Sequence, residues 1–430
     1  MIYSVQRTLT RKGYLSMKRT IRRIVLTAMC LLMLLGISLP AAATGFSDVD
    51  PGAYYAEAVR WAVNRWITSG TSATTFSPNT SCTRAEALTL LWRFDDSPHF
   101  GKEINYSDIA ASDYFFNAVR WAEARGLTGQ SSKGQFAPNA ACTRAQVVTF
   151  LWRYAGQPEA SGSMPFLDVP PKSIYAKAVL WAAENGVTSG TSETTFSPKA
   201  SCTRAQLVTM LYKLSTVLPA KKLVVLDPGH QRQGNYDKEA NGPGSSVMKA
   251  KCSSGTYGPT SKLYEYQLNL TVSFQLREAL ERRGYRVLMT RESHDVNLSN
   301  IQRAKFANNA GADVAIRIHA NGNTNTALYG AETVCLTRNN PYCKNIYTRS
   351  RALSDAIIHH LCARTGAKNK GVWETDTMTG INWSTVPVTI VEMGYMSNST
   401  EDQNMATASY QKKIVAGICD GVDEYFANNG

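Results

Sequence analysis

Two histidines and two glutamates in the second half of the 430-residue sequence have residue types and an order that suit a hydrolytic metal site. A hydrolytic zinc site needs three protein ligands and an open position for water, and two histidines with one glutamate are a recurring ligand set. His230, Glu265 and His319 fit these three ligands. A further carboxylate must stand near the water to take its proton, and Glu392 fits that role.

Each of these residues also has an ordinary structural explanation. A lone histidine after a strand is often a hydrogen-bonded polar residue, and the helix dipole alone favours a glutamate in a first helical turn. His99 and His294 have no comparable position after a strand, and His359 and His360 are adjacent on a predicted helix, which is typical of surface residues. The residue types alone therefore leave both interpretations open.

The elements that must position the four residues are predicted to alternate between strands and helices. The apolar run 223–226 is bounded by Asp-Pro-Gly, as expected for a buried strand of an α/β sheet, and His230 follows it. Ligands gather at such strand ends in α/β enzymes. The later elements are predicted as a helix over 263–284, a strand over 285–291, a helix over 299–311, strands over 313–322 and 386–398, and a helix from about Tyr410 to Tyr425.

A long segment separates His230 from Glu265. It runs from Gln231 to Leu263, is rich in Gly, Lys and Ser, and has no hydrophobic periodicity. Long loops at sites often line a cleft or act as a lid, and the alternative is a passive surface loop. The sequence leaves both open.

The first half contains three repeats with a period of 60 residues, marked by FSDV at 46–49, YSDI at 106–109 and FLDV at 166–169. Each unit is predicted to hold a helix with a Trp, a Gly-containing turn, a Phe-x-Pro loop and a second helix with a Thr N-cap. Only Glu86 supplies an acidic residue to close a capping box. So small a unit has little core of its own, so the three are expected to pack as one module. The aligned residues are Asp48, Asp108 and Asp168; Trp61, Trp121 and Trp181; Phe76, Phe136 and Phe196; Cys82, Cys142 and Cys202; and Arg84, Arg144 and Arg204.

Most of these repeated residues have a structural interpretation. The three Trp are predicted to be core residues, the three Asp to cap helices or turns, and the three Cys to be small buried side chains. The arginines are the better functional candidates. Outside the repeats, Cys335 and Cys343 flank a turn-rich stretch and could form a disulfide across it.

Composition limits the class of protein. With 43% hydrophobic and 18% charged residues the chain is neither disordered nor a many-pass membrane protein. Seven Lys and Arg and no acidic residue precede residue 44, so about half of the net charge of +13 lies there and no domain has the dense basic face that nucleic acid requires.

The amino terminus is predicted to be a secretory signal. Its basic residues precede the apolar run Ile24 to Leu39, which is followed by an Ala-rich site, so cleavage is expected after Ala43. The alternative is an uncleaved anchor, but a run broken by Gly36 falls short of the ~20 residues that span a bilayer. Translation could start at Met1 or Met17.

The three repeats resemble the S-layer homology family, whose pattern is an aromatic-x-Asp start, a central Trp, a Gly-rich turn with Phe-x-Pro, and a Thr-Arg-Ala-Glu signature. The resemblance implies a pseudo-threefold helical module that binds anionic, often pyruvylated, secondary polymers of a bacterial wall. It also implies that Arg84, Arg144 and Arg204 receive the acid groups. In units two and three the signature ends in Ala-Gln instead of Ala-Glu, so the resemblance does not imply equal polymer binding at the three sites.

The second half resembles the zinc-dependent N-acetylmuramoyl-L-alanine amidase family over nearly all of 223–430. The motifs that carry the resemblance are Asp-Pro-Gly-His at 227–230, Glu265 followed by Asn269 and Leu270, Ile-His-Ala-Asn at 318–321, and Val-Glu-x-Gly-aromatic-x-Ser-Asn at 391–398. The resemblance implies a twisted, mostly parallel sheet with helices on both faces. It implies zinc ligands His230, Glu265 and His319, with Glu392 as catalytic base and acid. Arg291 and Arg303 also match and are interpreted as structural or rim contacts.

Together the two resemblances imply a secreted enzyme of a bacterial cell wall that cleaves peptidoglycan between N-acetylmuramic acid and L-alanine while its repeats hold a wall polymer. No membrane span is expected after signal cleavage. The alternative is a non-catalytic, S-layer-like wall-binding protein. The predicted organisation is a signal peptide at 1–43, repeats at 44–103, 104–163 and 164–218, and a catalytic domain at 219–430.

Overall fold

The computed structural model describes residues 45–129 and 134–429. They form a helical repeat module followed by an α/β domain, which confirms the predicted fold class. The predicted signal segment 1–43 lies outside the described residues. Among the residues that are described, no helix is long and apolar enough to cross a bilayer.

Each repeat contributes two helices to the module. The second helix of every repeat begins with a capping box, in which the Thr hydroxyl accepts a backbone N–H three residues on and the third residue's side chain accepts the N–H of the Thr. The prediction that only Glu86 closes a box is therefore wrong. Gln146 and Gln206 close the other two, because an amide oxygen accepts this hydrogen bond as a carboxylate does. The helices are α1 (Ala56–Asn64), α2 (Arg84–Phe94), α3 (Phe116–Ala124), α4 (Arg144–Tyr154), α5 (Ala176–Glu184) and α6 (Arg204–Val217).

Hydrogen bonds between repeats close the module into a ring. The backbone N–H of Cys82 donates to the carbonyl of Cys202, that of Cys142 to Cys82, and that of Cys202 to Cys142, at 2.8–2.9 Å. The three thiols are fully buried, as predicted, and burial raises the pKa of Cys142 and Cys202 to about 12. Each repeat is thus tied to both of the others at one central point, which agrees with the expectation that the repeats pack together.

The aspartate of each repeat holds the Phe-x-Pro loop of the same repeat. The Asp108 carboxylate accepts the N–H groups of Phe136 at 2.9 Å and Ala137 at 2.7 Å. Asp48 and Asp168 make the equivalent pairs of bonds. The aspartates therefore cap a loop, one of the roles predicted for them.

The tryptophans pack in the module's core. Trp121 and Trp181 are buried, and Trp61 is half-buried against the rings of Phe94 and Tyr212. The structure thereby confirms the prediction that they are core residues.

The α/β domain contains one six-stranded sheet in the order β4-β1-β5-β8-β6-β7. Strands β4, β1, β5 and β8 are parallel, and β6 pairs antiparallel with β8 and parallel with β7. The sheet strands are β1 (Leu223–Pro228), β4 (Arg286–Met289), β5 (Val314–Asn321), β6 (Ala331–Cys335), β7 (Asn369–Glu374) and β8 (Val388–Tyr395).

Helices cover both faces of the sheet. Val224 and Leu226 of β1 face a core shared with α7 (Glu265–Arg282), α9 (Tyr347–Thr365) and α12 (Ala408–Asn429). The alternate side chains of β1, Leu223 and Val225, face a second core. The helices that pack on this second core are α8 (Asn300–Ala310) and α10 (Thr379–Asn382). A further helix, α11 (Ser399–Met405), follows β8. Burial on both faces explains the continuous apolar run of β1.

The segment between His230 and Glu265 contains a hairpin of β2 (Asn235–Ala240) and β3 (Met248–Cys252). This hairpin was not predicted, because five of its eleven strand residues are exposed and the core imposes no alternation of apolar and polar residues on them. Cys335 and Cys343 are buried free thiols, so the disulfide considered for them is absent.

The two parts of the chain meet through residues 95–100, which follow α2 at the end of the first repeat. His99 donates its backbone N–H to Glu281 of α7 at 2.7 Å, and its Nδ1 lies 3.0 Å from the same carboxylate. Lys221, just before β1, forms an ion pair with the buried Asp95, which also accepts the indole N–H of Trp121. Charged contacts thus join the module to the α/β domain.

Substituting the loop-capping aspartate should weaken the module. Asp108→Ala leaves two backbone N–H groups without their acceptor and should lower the free energy of unfolding of the module by about 2 kcal/mol, measured by urea denaturation. Asp113→Ala is the matched control, because half-buried Asp113 accepts the N–H of the nearby Ala110 and holds no loop from further along the described chain. Equal losses from both substitutions would contradict this account.

Candidate metal centre

The parallel strands bring the predicted site residues to one edge of the sheet. His230 follows β1, while His319 and Glu392 lie toward the carboxyl ends of β5 and β8 and are paired in the strand register. Glu265 is the first residue of α7, which packs on β1 and β5. All four residues therefore reach the same end of the domain, as the sequence predicted.

Three of the four side chains place ligand atoms in a small triangle. Glu265 Oε1 lies 3.1 Å from His230 Nε2 and 3.1 Å from His319 Nδ1, and the two nitrogens are 3.2 Å apart. These three residues form the group in the described part of the chain that could hold a metal ion. Bonds of about 2.0–2.1 Å in a tetrahedral site separate ligand atoms by about 3.3 Å, so the triangle has the size of one tetrahedral face.

Hydrogen bonds orient the His230 ring toward this triangle. Its Nδ1 lies 2.9 Å from the Ser253 carbonyl, which can only accept, so Nδ1 carries the proton and Nε2 is left with its lone pair. The His230 backbone has a φ of 61°, in the left-handed region that is costly for a residue with a side chain. The surrounding structure must therefore hold this residue in place.

His319 is held against the backbone of Gly229. A Cβ atom at position 229 would lie 2.3 Å from His319 Cε1, so only glycine leaves room for the ring. Burial lowers the pKa of His319 to about 4. The imidazole is therefore neutral at physiological pH, as a metal ligand must be.

Glu265 is fixed by two backbone donors. Its Oε2 accepts the Thr256 N–H at 2.9 Å and its Oε1 accepts the Ala320 N–H at 3.1 Å, while Asn269 donates to Oε1 at 3.2 Å. Burial alone would raise the pKa of Glu265, but the adjacent His230 and His319 hold it well below its ordinary value. The carboxylate is thus ionised and preorganised.

Two buried arginines hold the loop that carries His230. Arg291 donates to the carbonyls of Pro228 and Gly229 at 2.9 and 3.0 Å, and Arg303 donates to those of Pro228 and His230 at 2.9 and 3.0 Å. Both side chains are buried, so of the two interpretations given for them, structural and rim, the structure supports the structural one. Their bonds explain how the loop sustains the strained backbone of His230.

Glu392 stands beside the triangle with an unpaired oxygen. Its Oε2 is buried and has no hydrogen-bond partner in the described part of the chain. Burial, and then the carboxylates of Glu265 and Glu332, raise its pKa well above the ordinary value for glutamate. A carboxylate with an unsatisfied oxygen and a raised pKa is suited to accept a proton from a substrate or water.

Sequence reasoning missed Glu332, which faces Glu392 across the β6 and β8 pair. Glu332 Oε1 accepts the Asn321 side-chain amide at 2.8 Å, and Lys370 Nζ lies 3.8 Å from Oε2. Lys370 also forms a hydrogen bond with the Tyr395 hydroxyl. No motif pointed to Glu332, because β6 itself was not predicted.

The β2–β3 hairpin is anchored to the rest of the α/β domain by hydrogen bonds. Trp383 and Asn382 of the α10 region donate to the carbonyls of Ala240 and Asn241 at 2.9 Å, and Asn300 donates to that of Lys251 at 3.0 Å. Ser253, the residue directly after β3, supplies the carbonyl that orients His230. The bonds argue against a mobile lid, and Ser253 brings one end of the segment 231–263 to the site; the choice between a hairpin that lines the cleft and a passive surface element stays open.

The repeat arginines belong to the first half of the chain, and their hydrogen bonds join neighbouring repeats of the ring. Arg84 Nε donates to the Phe136 carbonyl, Arg144 Nε to that of Phe196, and Arg204 Nε to that of Phe76, at 2.8–3.0 Å. Each guanidinium also lies 4.6–5.0 Å from the centre of the same Phe ring. All three side chains are at most 7% exposed, so any polymer would meet only their outer nitrogens.

Family comparisons agree with this division of the chain. Residues 224–424 match the model of the N-acetylmuramoyl-L-alanine amidase family, and residues 45–88, 105–148 and 165–208 match the S-layer homology domain. The chain thus carries three S-layer homology repeats followed by a domain of the N-acetylmuramoyl-L-alanine amidase family.

Individual relatives include two proteins of Bacillus subtilis (strain 168). The N-acetylmuramoyl-L-alanine amidase LytC is 27% identical over 205 residues, which cover 47% of this chain and 35% of LytC. A germination-specific N-acetylmuramoyl-L-alanine amidase is 27% identical over 223 residues, covering 49% of this chain and 81% of that protein. The similarity to LytC thus spans only about a third of that protein.

Among solved structures, the chain is similar to the crystal structure of N-acetylmuramoyl-L-alanine amidase from Clostridium difficile 630. The two are 26% identical, with a TM-score of 0.41, and the match covers 49% of this chain and all of that one.

Glu392 should make the metal-free domain sensitive to pH. The pKa of Glu392 is raised in the folded state, whereas in the unfolded state it is about 4.5. Below pH 4.5 the carboxyl is protonated in both the folded and the unfolded state, and the folded state keeps its full stability. As the pH rises above 4.5 the unfolded state ionises first, so the folded state loses stability. In chelator, Glu392→Gln should therefore be more stable than wild type at pH 8 by about 1–3 kcal/mol.

The difference should shrink toward pH 5 when thermal unfolding is followed across this range. Glu278→Gln, at a half-buried position of α7 that lies 13 residues after Glu265, is the control and should follow wild type. A constant difference between Glu392→Gln and wild type at all pH values would show that the carboxylate carries no such cost.

Proposed function

We propose that the protein is a secreted, zinc-dependent N-acetylmuramoyl-L-alanine amidase of a bacterial cell wall, held on the wall by its repeats. The observation that carries this proposal is the triangle of His230, Glu265 and His319 with the unpaired Glu392 oxygen beside it. The amidase relatives support the reaction, and the S-layer homology repeats support the location. The proposed substrate is peptidoglycan.

The donor set favours zinc among the common metals. Two imidazole nitrogens and one carboxylate oxygen are a recurring zinc set in hydrolases, whereas magnesium and calcium prefer oxygen ligands alone. His230, Glu265 and His319 would hold the ion. When bound, zinc supplies the Lewis acidity that amide hydrolysis needs.

Glu392 is the residue that moves the proton. Its free Oε2 takes a proton from the attacking water as the water oxygen bonds to the lactyl carbonyl carbon. The same carboxyl then gives this proton to the nitrogen of L-alanine as the carbon–nitrogen bond breaks. The second hydrogen of the water stays with the new carboxyl group, so the products are a lactyl carboxyl group on the sugar and a stem peptide with a free amino terminus, and water is the only co-reactant.

Removing the proton acceptor should abolish turnover and leave the metal in place. Glu392→Gln should slow release of stem peptides from purified peptidoglycan by at least about 100-fold, measured by mass spectrometry, while zinc content measured by elemental analysis stays at one per chain. Chelator should abolish release by wild type, and Glu278→Gln should be fully active. Loss of zinc together with activity in Glu392→Gln would contradict the role assigned to Glu392.

The same experiment tests the alternative function. A chain that binds zinc and wall but releases no stem peptide from several wall types would be a non-catalytic wall-binding protein. Released peptides that begin with a residue other than L-alanine would indicate another substrate bond.

The repeats are proposed to bind an anionic wall polymer through unequal grooves. A cavity of about 350 Å³ is lined by Arg144, Gln206, Lys213 and Tyr54, and the outer Nη2 of Arg144 is buried without a hydrogen-bond partner among the described residues. A larger cavity of about 580 Å³ contains the equivalent Arg84 and Gln146. An unsatisfied guanidinium at a groove is suited to a carboxylate or phosphate oxygen.

The charge of the third arginine is neutralised from within the chain. Arg204 Nη1 lies 3.7 Å from the Glu86 carboxylate, whereas the two other arginines have glutamines at the equivalent position. The departure from the family signature thus leaves positive charge in two grooves. We infer that Arg84 and Arg144 receive the polymer's acid groups in preference to Arg204.

Replacing glutamine by glutamate beside one arginine should weaken polymer binding, and replacing glutamate by glutamine beside another should strengthen it. Gln206→Glu should weaken binding of an acidic wall polymer by about tenfold, because it places a carboxylate beside Arg144, and Glu86→Gln should strengthen it. Both substitutions retain the oxygen that closes the capping box, so thermal unfolding should change little. Sedimentation of the protein with purified walls measures the affinity, and equal affinities for all three proteins would refute the assignment.

A further inference from the structure

Three tyrosine rings pack together beside the metal centre: Tyr264 is stacked on Tyr266, and Tyr257 is tilted by 54° against Tyr264. The ring centres of Tyr257 and Tyr264 are 4.9 Å apart, and those of Tyr264 and Tyr266 are 5.6 Å apart with an interplanar angle of 22°. Tyr266 is buried, whereas Tyr257 and Tyr264 are 40% and 50% exposed. The two outer rings are therefore available to a ligand.

The outer pair of rings is tied directly to a predicted metal ligand. Tyr264 immediately precedes Glu265, and Thr256 exchanges two hydrogen bonds with Glu265, from its N–H to Oε2 at 2.9 Å and from the Glu265 N–H to its carbonyl at 3.0 Å. Gly255 passes so close that a Cβ there would lie 2.7 Å from Glu265 Oε2 and 2.9 Å from His230 Cγ. Tyr257 and Tyr264 therefore stand at the rim of the metal centre.

The backbone between the two rings cannot easily collapse. Tyr257 and Tyr264 pair in an isolated antiparallel bridge, and Gly258 donates to the Leu263 carbonyl at 2.9 Å. The buried Asp402 accepts the N–H groups of Thr260 and Ser261 at 2.8 Å each. Exposed aromatic rings on a fixed segment lose little conformational entropy when a ligand binds.

We propose that the Tyr257 and Tyr264 pair is a sugar-binding subsite for the glycan strand of the substrate. This inference rests on the proposed function, because in that substrate the scissile amide is attached to a sugar, so a glycan ring must lie next to the metal centre. Pyranose rings present C–H groups on their faces and hydroxyls at their edges. Tyrosine matches them with an apolar ring and a polar hydroxyl.

Binding of a peptide-free glycan tests the subsite separately from catalysis. Titration calorimetry would use the Glu392→Gln protein with zinc bound, and chitotetraose and peptide-free glycan strands as probes. Tyr257→Ala and Tyr264→Ala should each weaken binding by about fivefold or more, and both together should abolish it. Tyr257→Phe and Tyr264→Phe should bind within about twofold of the parent, because the ring is retained.

Tyr114→Ala is the control, because Tyr114 is also exposed but lies in the repeat module, just before α3 and outside the α/β domain. It should bind as the parent does. Zinc content and thermal unfolding, measured on each Ala variant, separate loss of the ring from loss of the fold.

The outcomes distinguish this inference from the function on which it rests. Unchanged glycan binding in the double Ala variant, or no glycan binding to the parent, overturns the subsite even if wild type hydrolyses peptidoglycan. Loss of glycan binding in the Ala variants together with no hydrolysis by wild type supports the subsite and overturns the amidase assignment.

Discussion

The structure of the site depends on one carboxylate that is buried between two arginines. Asp227, near the end of β1, lies 2.8 Å from Arg303 of α8 and 2.8 Å from Arg317 of β5. Burial would raise the pKa of Asp227, but the two guanidiniums outweigh it and hold the pKa far below its ordinary value. A charge this deeply buried is tolerated only with such partners, so strand, helix and neighbouring strand must come together before the site can form. Because Arg303 also binds the carbonyls on either side of Gly229, the same interaction fixes the direction in which His230 leaves the sheet.

The repeat module uses arginine in a comparable structural way. Each arginine crosses to the next repeat and ends on a phenylalanine carbonyl, and the sequence of contacts returns to its start after three steps. The residues proposed to meet the polymer are therefore also residues that close the ring. Replacing an arginine would change both polymer binding and the stability of the ring, so the two effects could not be separated. Replacing its glutamine or glutamate neighbour changes charge alone.

The sequence predicted the buried part of the fold better than the exposed part. Strands β1, β5 and β8 were predictable, because burial on both faces demands apolar residues and each ends at a chemically distinctive residue. Strand β7 was missed, because its residues, Asn369–Glu374, are exposed or only half-buried and include Lys370, and lysine is common at the edge of a sheet. Glu332 was missed with β6, and the role of Ser253 was missed because a backbone carbonyl has no sequence signature. The glutamine capping boxes were missed because the expected pattern was restricted to acidic residues.

The junction between the two parts of the chain limits where this protein could act. Only residues 218–222 connect α6 to β1, a span of at most about 17 Å if extended, and Lys221 within it is already paired with Asp95. An enzyme anchored through the repeats would therefore not sweep freely around its attachment point. It would cut bonds in a thin layer at a nearly constant height above the anchoring polymer, so the spacing of anchors on the surface, rather than diffusion, would set the pattern of cleavage.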